Sequence, residues 1–158
     1  MLDSNQILDG VEEAKTKMES EEVVGKILLI MGKIEAVPVD QIPTDLLVNQ
    51  VFTLCKLMDN LSDLKEYAYI RSEALDEEYK SKVRGEYLAL KEKEKITDGM
   101  ARAKAEESCN DTKREALVAE YSARRLKELY ENVSRLINYT QTKLRNSDDG
   151  RVRHNIDS

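Results

Sequence analysis

Residues 97–146 contain no proline, and their only glycine, Gly99, stands near the start. Small and apolar residues recur there in steps that alternate strictly between three and four, which is the period of a coiled coil. The positions are Cys109, Thr112, Ala116, Ala119, Ala123, Leu126, Tyr130, Val133, Ile137, Thr140 and Leu144. Because such a stripe is stable only when it is buried against another helix, the sequence predicts a long helix with a helical partner.

The residues before this stretch predict the partner helix. Residues 44–95 carry heptad-spaced side chains at Leu47, Val51, Leu54, Met58, Leu61, Ala68, Leu75 and Tyr79. Thr97 is a favourable N-cap and Asp98 suits the positive first turn of a helix, so the chain is expected to turn at residues 95–99. The predicted fold is therefore all-α, a long antiparallel helical hairpin, coiled-coil-like, with short N-terminal helices.

The side chains along this hairpin change in size. Residues 126–144 and 47–64 supply the larger side chains, which predicts the main core at that end. Small residues near the turn predict close helix packing there, and they are Ala103, Ala105, Cys109, Ala116 and Ala119. Additional apolar residues widen the stripe of the first helix, as expected where more than one helix packs on it. These residues are Val48, Phe52, Leu57 and Leu64.

Residues 1–37 form an acidic N-terminal part with two predicted helices. Helical spacing predicts the first over residues 5–19 and the second from Ser20 onward. In the second, residues 27–34 could also form a buried strand, and the helix is preferred. Pro38 and Pro43 make residues 38–43 a linker, because residues before proline resist helix. The hairpin then occupies residues 44–146, and residues 147–158 are expected to be a disordered tail.

Charge is spread unevenly over the 158 residues, a length that suits one domain. The formal net charge is −6, and residues 1–43 carry four basic against nine acidic side chains. Residues 98–146 instead carry ten basic against eight acidic side chains. A uniformly basic nucleic-acid binder is therefore excluded, whereas a local basic surface on the helical part is not.

The cysteines and the N-terminus indicate a cellular compartment. Cys55 and Cys109 fall inside helical patterns and are expected to be free, buried thiols. The first six residues are polar and acidic, unlike a signal peptide. The longest apolar run, residues 27–31, is too short for a membrane span. We therefore expect a cytoplasmic protein of a bacterium or a phage-infected host, with no membrane partner.

Catalytic and metal-binding motifs are absent from the sequence. The only histidine, His154, lies in the expected tail, which excludes a rigid Ser–His or Cys–His pair, and the ligand count is too low for zinc. The six glycines are scattered, so no phosphate-binding loop is formed. Glu73, Asp76 and Glu77 share a helical face and could hold a cation, although such clusters are usually solvated surface. The sequence predicts a protein that is not an enzyme and uses no cofactor.

Positive charge interleaved with tyrosine is the remaining functional signal. Single-stranded nucleic acid is bound by a basic groove with aromatic platforms, and Tyr79 and Tyr87 lie among basic residues near the turn. The alternative is that these basic residues pair with glutamates on solvated helix faces, unless several copies align their turns and sum their charge. The candidate nucleic-acid-binding residues are Lys80, Lys82, Arg84, Lys91, Lys93, Lys95, Arg102 and Lys104.

Three segments within residues 44–146 carry a resemblance to a family. They are KEYAYIRSEALDEEYKSKVRGEYLALK, the alanine-rich MARAKAEES and YSARRLKELYENVSRLINYTQTKLRN. In this order they resemble small helical proteins of phage replication and recombination modules, including recombination mediators of the UvsY type. The resemblance implies a homo-oligomer that binds single-stranded DNA and helps to load a recombinase against a single-strand-binding protein.

Two functions therefore stay open. The first is a non-catalytic, oligomeric mediator of recombination or replication that binds single-stranded DNA and recombination proteins. The second is a helical protein-interaction module, either a coiled-coil adaptor or a small phage-type inhibitor. Its acidic region would engage a basic protein partner through Glu12, Glu13, Glu19, Glu21 and Glu22.

Overall fold

The structure, a computed structural model, describes residues 9–10, 21–93 and 95–154, and side chains as far as residue 146. Its elements are α1 (Glu22–Glu35), a 3-10 turn (Val39–Gln41), α2 (Thr44–Lys93), α3 (Asp98–Ser108) and α4 (Asn110–His154). The predicted all-α class is confirmed, and α2 pairs with α4. Asp9 and Gly10 are helical too, whereas the rest of the helix predicted over residues 5–19 lies outside the described residues.

The chain forms two compact units, and the long helices α2 and α4 contribute residues to both. We call Met1–Met18 with Lys65–Leu126 the turn unit, because it contains the reversal between α2 and α3. We call Glu19–Leu64 with Lys127–Ser158 the α1 unit. The basic residues predicted to bind nucleic acid all belong to the turn unit.

The reversal in the turn unit lies where the sequence predicted it. Thr97 has an extended backbone and caps α3, because its Oγ1 accepts a hydrogen bond from the Met100 N–H at 3.4 Å. Contacts across the reversal pair residues that lie progressively further from it on both sides, which defines antiparallel packing. These contacts are Lys91 with Asp98, Lys82 with Thr112, and Tyr79 with Lys113.

The stripe predicted over residues 109–144 is the enclosed face of the helices that follow the reversal. Every position of that stripe is buried or half-buried, and Val133 and Thr140 are 0% exposed. Thr140 tolerates this burial because its Oγ1 donates a hydrogen bond to the Leu136 carbonyl at 2.8 Å. The heptad pattern thus identified the packed face of α4, including the buried Thr140.

Close packing near the turn is confirmed, with one correction. Ala101 and Ala105 are 0% exposed, and Cys109 is buried. Ala103, which the sequence placed in this small-residue group, is exposed. A helical residue two positions from Ala101 and Ala105 is rotated by about 200° and faces away from them.

The chain after the reversal forms two helices, α3 and α4, although the sequence predicted one. Cys109 separates α3 from α4, with φ −102° and ψ 16°. The hydroxyl of Ser108 donates to the Ala105 carbonyl at 2.9 Å, so a side chain takes an acceptor of the last helical turn. No proline or glycine marks this break in the sequence, and the enclosed stripe continues across it.

The C-terminal end of α4 also differs from the prediction. The sequence predicted a disordered tail from residue 147, whereas α4 continues to His154. No proline follows residue 146, so nothing in the covalent chain interrupts the helical hydrogen bonds there. The loss of apolar periodicity after residue 146 therefore did not mark the end of the helix.

The core of the α1 unit combines three helices. Val24, Ile27 and Ile34 of α1 are at most 1% exposed, while Leu54 of α2 and Val133 of α4 are 0% exposed. The preference for helix over strand at residues 27–34 is confirmed, since α1 spans them. α1 ends before Pro38 and α2 begins directly after Pro43, as expected from the helix-breaking geometry of proline.

Three apolar side chains of α2 are more accessible than expected. Val48 is 47% and Phe52 is 59% exposed, whereas the other widening residues, Leu57 and Leu64, are half-buried. Cys55 is exposed as well, although Cys109 is buried, and both thiols are free. The cause is helical rotation, because each of them follows a buried residue (Leu47, Val51 or Leu54) and is turned by about 100° away from the core.

Candidate nucleic-acid interface

All eight candidate basic side chains are exposed on the turn unit. Residues 79–104 carry eight basic and four acidic side chains, although the chain as a whole is acidic. Positive charge is therefore concentrated around the reversal between α2 and α3. Such a local excess attracts a polyanion even on a protein of negative net charge.

A network of polar contacts fixes the turn and engages one candidate residue. Lys91 Nζ lies 2.7 Å from Asp98 Oδ1 and donates to the Ile96 carbonyl at 3.2 Å. The Tyr87 hydroxyl donates to the same carboxylate at 3.4 Å. The hydrogen bond from Lys91 lowers the pKa of Asp98 and raises the pKa of Lys91 itself. Lys91 therefore holds the first turn of α3 in addition to carrying charge.

Two further candidates form ion pairs on their own helix. Lys80 Nζ lies 2.6 Å from Asp76 and 3.0 Å from Glu77, and Lys82 Nζ lies 2.7 Å from Glu78. Hydrogen bonds from these carboxylates raise the pKa of both lysines. Pairing with carboxylates on solvated helix faces, the alternative interpretation of the sequence, thus describes these two residues. Exposed pairs of this kind are weak and exchange readily, so a phosphate can replace the carboxylate.

The remaining candidates are less constrained. Arg84, Lys93, Lys95 and Arg102 form no ion pair with another described residue. Their charges face solvent without a carboxylate partner from the described part of the chain. Two of them are arginines, whose planar guanidinium can donate two parallel hydrogen bonds to one phosphate.

The candidate residues of α2 lie on two different sides of the helix. Lys80, Arg84 and Lys91 are separated by four and seven residues, so they share one side. Lys82 and Lys93 are eleven residues apart, about three helical turns, and share another side. The enclosed face that carries Tyr79 lies between these two sides. A single ligand strand along one side therefore meets only part of the predicted set.

The residues of α3 divide in the same way. Arg102 lies one turn after Asp98, and its positive charge also lowers the pKa of Asp98. Asp98 in turn pairs with Lys91. Arg102 thus joins the side of Lys80, Arg84 and Lys91, which we call the Arg84 face. Lys104 is rotated from Arg102 by about 200°, across the buried alanines. It joins Lys82 and Lys93 in what we call the Lys93 face, while Lys95 lies in the turn itself.

The tyrosines that the sequence associated with these cations are partly enclosed. Tyr79 is half-buried, burial raises its pKa, and Lys113 Nζ lies 5.9 Å from its ring centre. Tyr87 is half-buried and bonded to Asp98. Tyr67 is 67% exposed in the same unit, but it lies outside the basic clusters and was not singled out. The structure therefore supplies cations at the turn without a fully open aromatic platform.

The described residues show neither a metal-binding cluster nor a membrane-spanning helix. No group of three or more histidine, cysteine and carboxylate side chains is placed there to hold a metal ion, and this includes Glu73, Asp76 and Glu77. Within the same residues, no helix combines the length and the apolar character needed to cross a membrane.

Comparison with known proteins leaves the function to be inferred from the chain's own geometry and charge. No protein-family model matches the chain, and no curated protein or solved structure is significantly similar to it.

Proposed function

We propose that this protein is a non-catalytic helical protein that binds single-stranded DNA through the Arg84 face and works as an oligomeric mediator of recombination or replication. The observation that carries the proposal is the gathering of Lys80, Arg84, Lys91 and Arg102 on one side of the turn unit. The pattern-level resemblance to phage recombination mediators agrees with this role. Recombination proteins would then be its further partners.

The geometry of the Arg84 face suits a flexible phosphate backbone. Lys80 and Lys91 are eleven residues apart on one helix, which places their Cα atoms about 16 Å apart along its axis. Arg84 lies between them, and Arg102 stands beside them on α3. Cations distributed over such a length can follow several consecutive phosphates of one strand without reading any base.

Self-association would strengthen this interface. Four cations on one chain support only weak binding, whereas several copies with aligned turns sum their charge over one surface. We therefore propose a homo-oligomer that assembles with its turns on the same side. Light scattering with and without a single-stranded oligonucleotide measures this assembly, and a chain that stays monomeric in both conditions contradicts the oligomeric part of the proposal.

The salt dependence of binding tests the interface itself. Each phosphate contact with a single strand contributes about −0.7 to the slope of log K against log salt, so four contacts predict a slope near −2.8. Affinity measured by fluorescence anisotropy should then fall about 50-fold between 50 and 200 mM salt. Removing two cations from the Arg84 face, in Arg84→Gln with Arg102→Gln, should reduce the slope to about −1.4.

A matched variant separates this site from a general charge effect. Lys93→Gln with Lys104→Gln removes the same two charges from the Lys93 face and should leave the slope near the wild-type value. Equal losses for the two double variants would show that no particular face binds the strand. A protein that retains no single-stranded DNA at low salt would eliminate the DNA-binding proposal.

A protein-interaction module is the second candidate, and a separate observation favours it. Tyr67 and Ile70 are 67% and 65% exposed, and three-residue spacing puts them on one side of α2. Large exposed apolar side chains that lie together commonly mark a protein-binding surface. Capture of a protein partner from lysate should persist after nuclease treatment and should be lost in the variant with Tyr67→Glu and Ile70→Glu. Capture that nuclease treatment abolishes would favour the first candidate.

A further inference from the structure

A further stripe with coiled-coil spacing runs along the outer side of α2 within the turn unit. Its positions advance in steps that alternate between four and three residues. All of them are exposed except the half-buried Tyr87. Ser72, which is rotated by about 200° from Ile70, is buried, so this stripe lies on the side of α2 that is turned away from its enclosed face. We call it the outer stripe, and its members are Glu66, Ile70, Glu73, Glu77, Lys80, Arg84, Tyr87 and Lys91.

Charge is divided by sign along the outer stripe. Its carboxylates all lie within residues 66–77, and the cations that α2 contributes to the Arg84 face follow within residues 80–91. Tyr67 and Ile70 are 67% and 65% exposed in the acidic half, and Leu88 is 52% exposed beside the basic half. A surface with an acidic half, a basic half and exposed apolar side chains in each is complementary to a reversed copy of itself.

The two halves match when two copies pair antiparallel with the two-fold axis between Glu77 and Lys80. Every charged position of the stripe then faces a position of opposite charge, and the symmetry repeats each contact. Tyr67 lies beside Leu88 of the second copy, which adds an apolar contact on the flank. The facing pairs are Glu66 with Lys91, Glu73 with Arg84, Glu77 with Lys80, and Ile70 with Tyr87.

Other arrangements of the same stripe oppose like charges. A parallel pair places every carboxylate opposite its own copy. An antiparallel pair shifted by one heptad places Glu73 opposite Glu77 in one direction and Lys80 opposite Arg84 in the other. Because like charges in contact are destabilising, a single antiparallel register is favoured.

The contacts within the chain leave the outer stripe available. Glu66, Glu73 and Arg84 form no ion pair with another described residue. The ion pairs of Lys80 within α2 are exposed and exchange readily. The Lys91 ammonium has three N–H donors and uses two of them within the turn, so one remains for a carboxylate of a second copy.

We infer that two copies pair antiparallel through the outer stripe, and that this pairing covers the α2 cations of the Arg84 face when nucleic acid is absent. The pairing follows from the stripe itself, whereas its competition with DNA rests on the proposed function. Because an antiparallel pair points its two turns in opposite directions, it is distinct from the DNA-bound oligomer with aligned turns. Single-stranded DNA must therefore displace the second copy.

Charge exchange tests the pairing on the full-length protein, with sedimentation measuring the dimer at low salt. Glu73→Arg and Arg84→Glu should each weaken the wild-type dimer about tenfold or more, because the symmetry places each mismatch twice. An equimolar mixture of these two variants should dimerise again, and so should the chain with both changes, since opposite charges then face each other. Lys93→Glu reverses a cation outside the stripe and should leave the dimer unchanged. A monomeric wild type, or a dimer that neither single variant weakens, would overturn the inference.

A disulfide between facing positions tests the register and the competition together. With the exposed Cys55 removed by Cys55→Ser, Glu77→Cys with Lys80→Cys should form a covalent dimer on oxidation. That dimer should bind a fluorescent oligothymidylate about tenfold more weakly than the same protein after reduction. Failure to form the covalent dimer, or equal affinity before and after reduction, would overturn the inference. A reduced protein that does not bind the oligonucleotide would overturn the competition and the DNA-binding function, whereas the covalent dimer would then still support the pairing.

Discussion

Substitution of Ala105 by leucine tests how closely the helices pack near the turn. Ala105 is 0% exposed on α3, as is Ala101 one turn before it, so no space remains for a larger side chain. Leucine adds three carbon atoms, and overpacking of a filled site costs about 1–3 kcal/mol. Ala103 lies two residues away and is exposed, so Ala103→Leu should change stability by no more than about 0.5 kcal/mol.

Urea unfolding followed by circular dichroism measures this difference. With an m-value of about 2 kcal/mol/M, a loss of about 2 kcal/mol lowers the unfolding midpoint by about 1 M for Ala105→Leu. Leucine and alanine are both strong helix formers, so helix propensity does not separate the two variants. Equal midpoints for Ala105→Leu and Ala103→Leu would refute close packing of α3 in the turn unit.

Two further predictions follow from burial and from the turn network. Leu54→Ala should lower the free energy of unfolding by about 2–5 kcal/mol because Leu54 is 0% exposed. Phe52→Ala, at a site that is 59% exposed, should change it by less than about 0.5 kcal/mol. Similar losses for the two variants in urea unfolding would contradict the assigned core. The carboxyl group of Asp98 should titrate below its ordinary pKa of 3.8 by carbon NMR and return toward that value in Lys91→Gln. Because the pKa of Asp98 is lower in the folded than in the unfolded protein, this contact contributes to stability above pH 3.8, and the contribution is lost as the pH falls through the folded pKa. An unchanged titration of Asp98 in Lys91→Gln would exclude the Lys91–Asp98 contact.

The sequence was most informative where side-chain periodicity and capping decide the structure. The heptad steps correctly predicted which face of α4 is enclosed, as far along the helix as Thr140. The capping residue Thr97 correctly predicted where α3 begins. The break at Cys109 was missed because no proline or glycine marks it, and because the apolar stripe continues across it. The exposure of Cys55 and Phe52 depends on which sides of α2 are covered, and periodicity along one helix does not contain that information.

The candidate site shows the same division between composition and geometry. The concentration of positive charge near the turn is visible in the sequence, because it needs only counting. Its separation into the Arg84 face and the Lys93 face depends on helical rotation combined with cross-helix contacts such as Lys91 with Asp98. The outer stripe was not identified from the sequence, since the exposure of its residues depends on which side of α2 packs against α4.

The antiparallel pairing of α2 with α3 and α4 within one chain is the claim on which the candidate site depends. The most direct measurement is a nuclear Overhauser effect between the Tyr79 ring and the Lys113 side chain, whose Nζ lies 5.9 Å from the ring centre. Mixed samples of labelled and unlabelled protein separate contacts within a chain from contacts between chains. We predict this contact within a single chain. Its absence, or its appearance only between chains, would contradict the antiparallel pairing of α2 with α4.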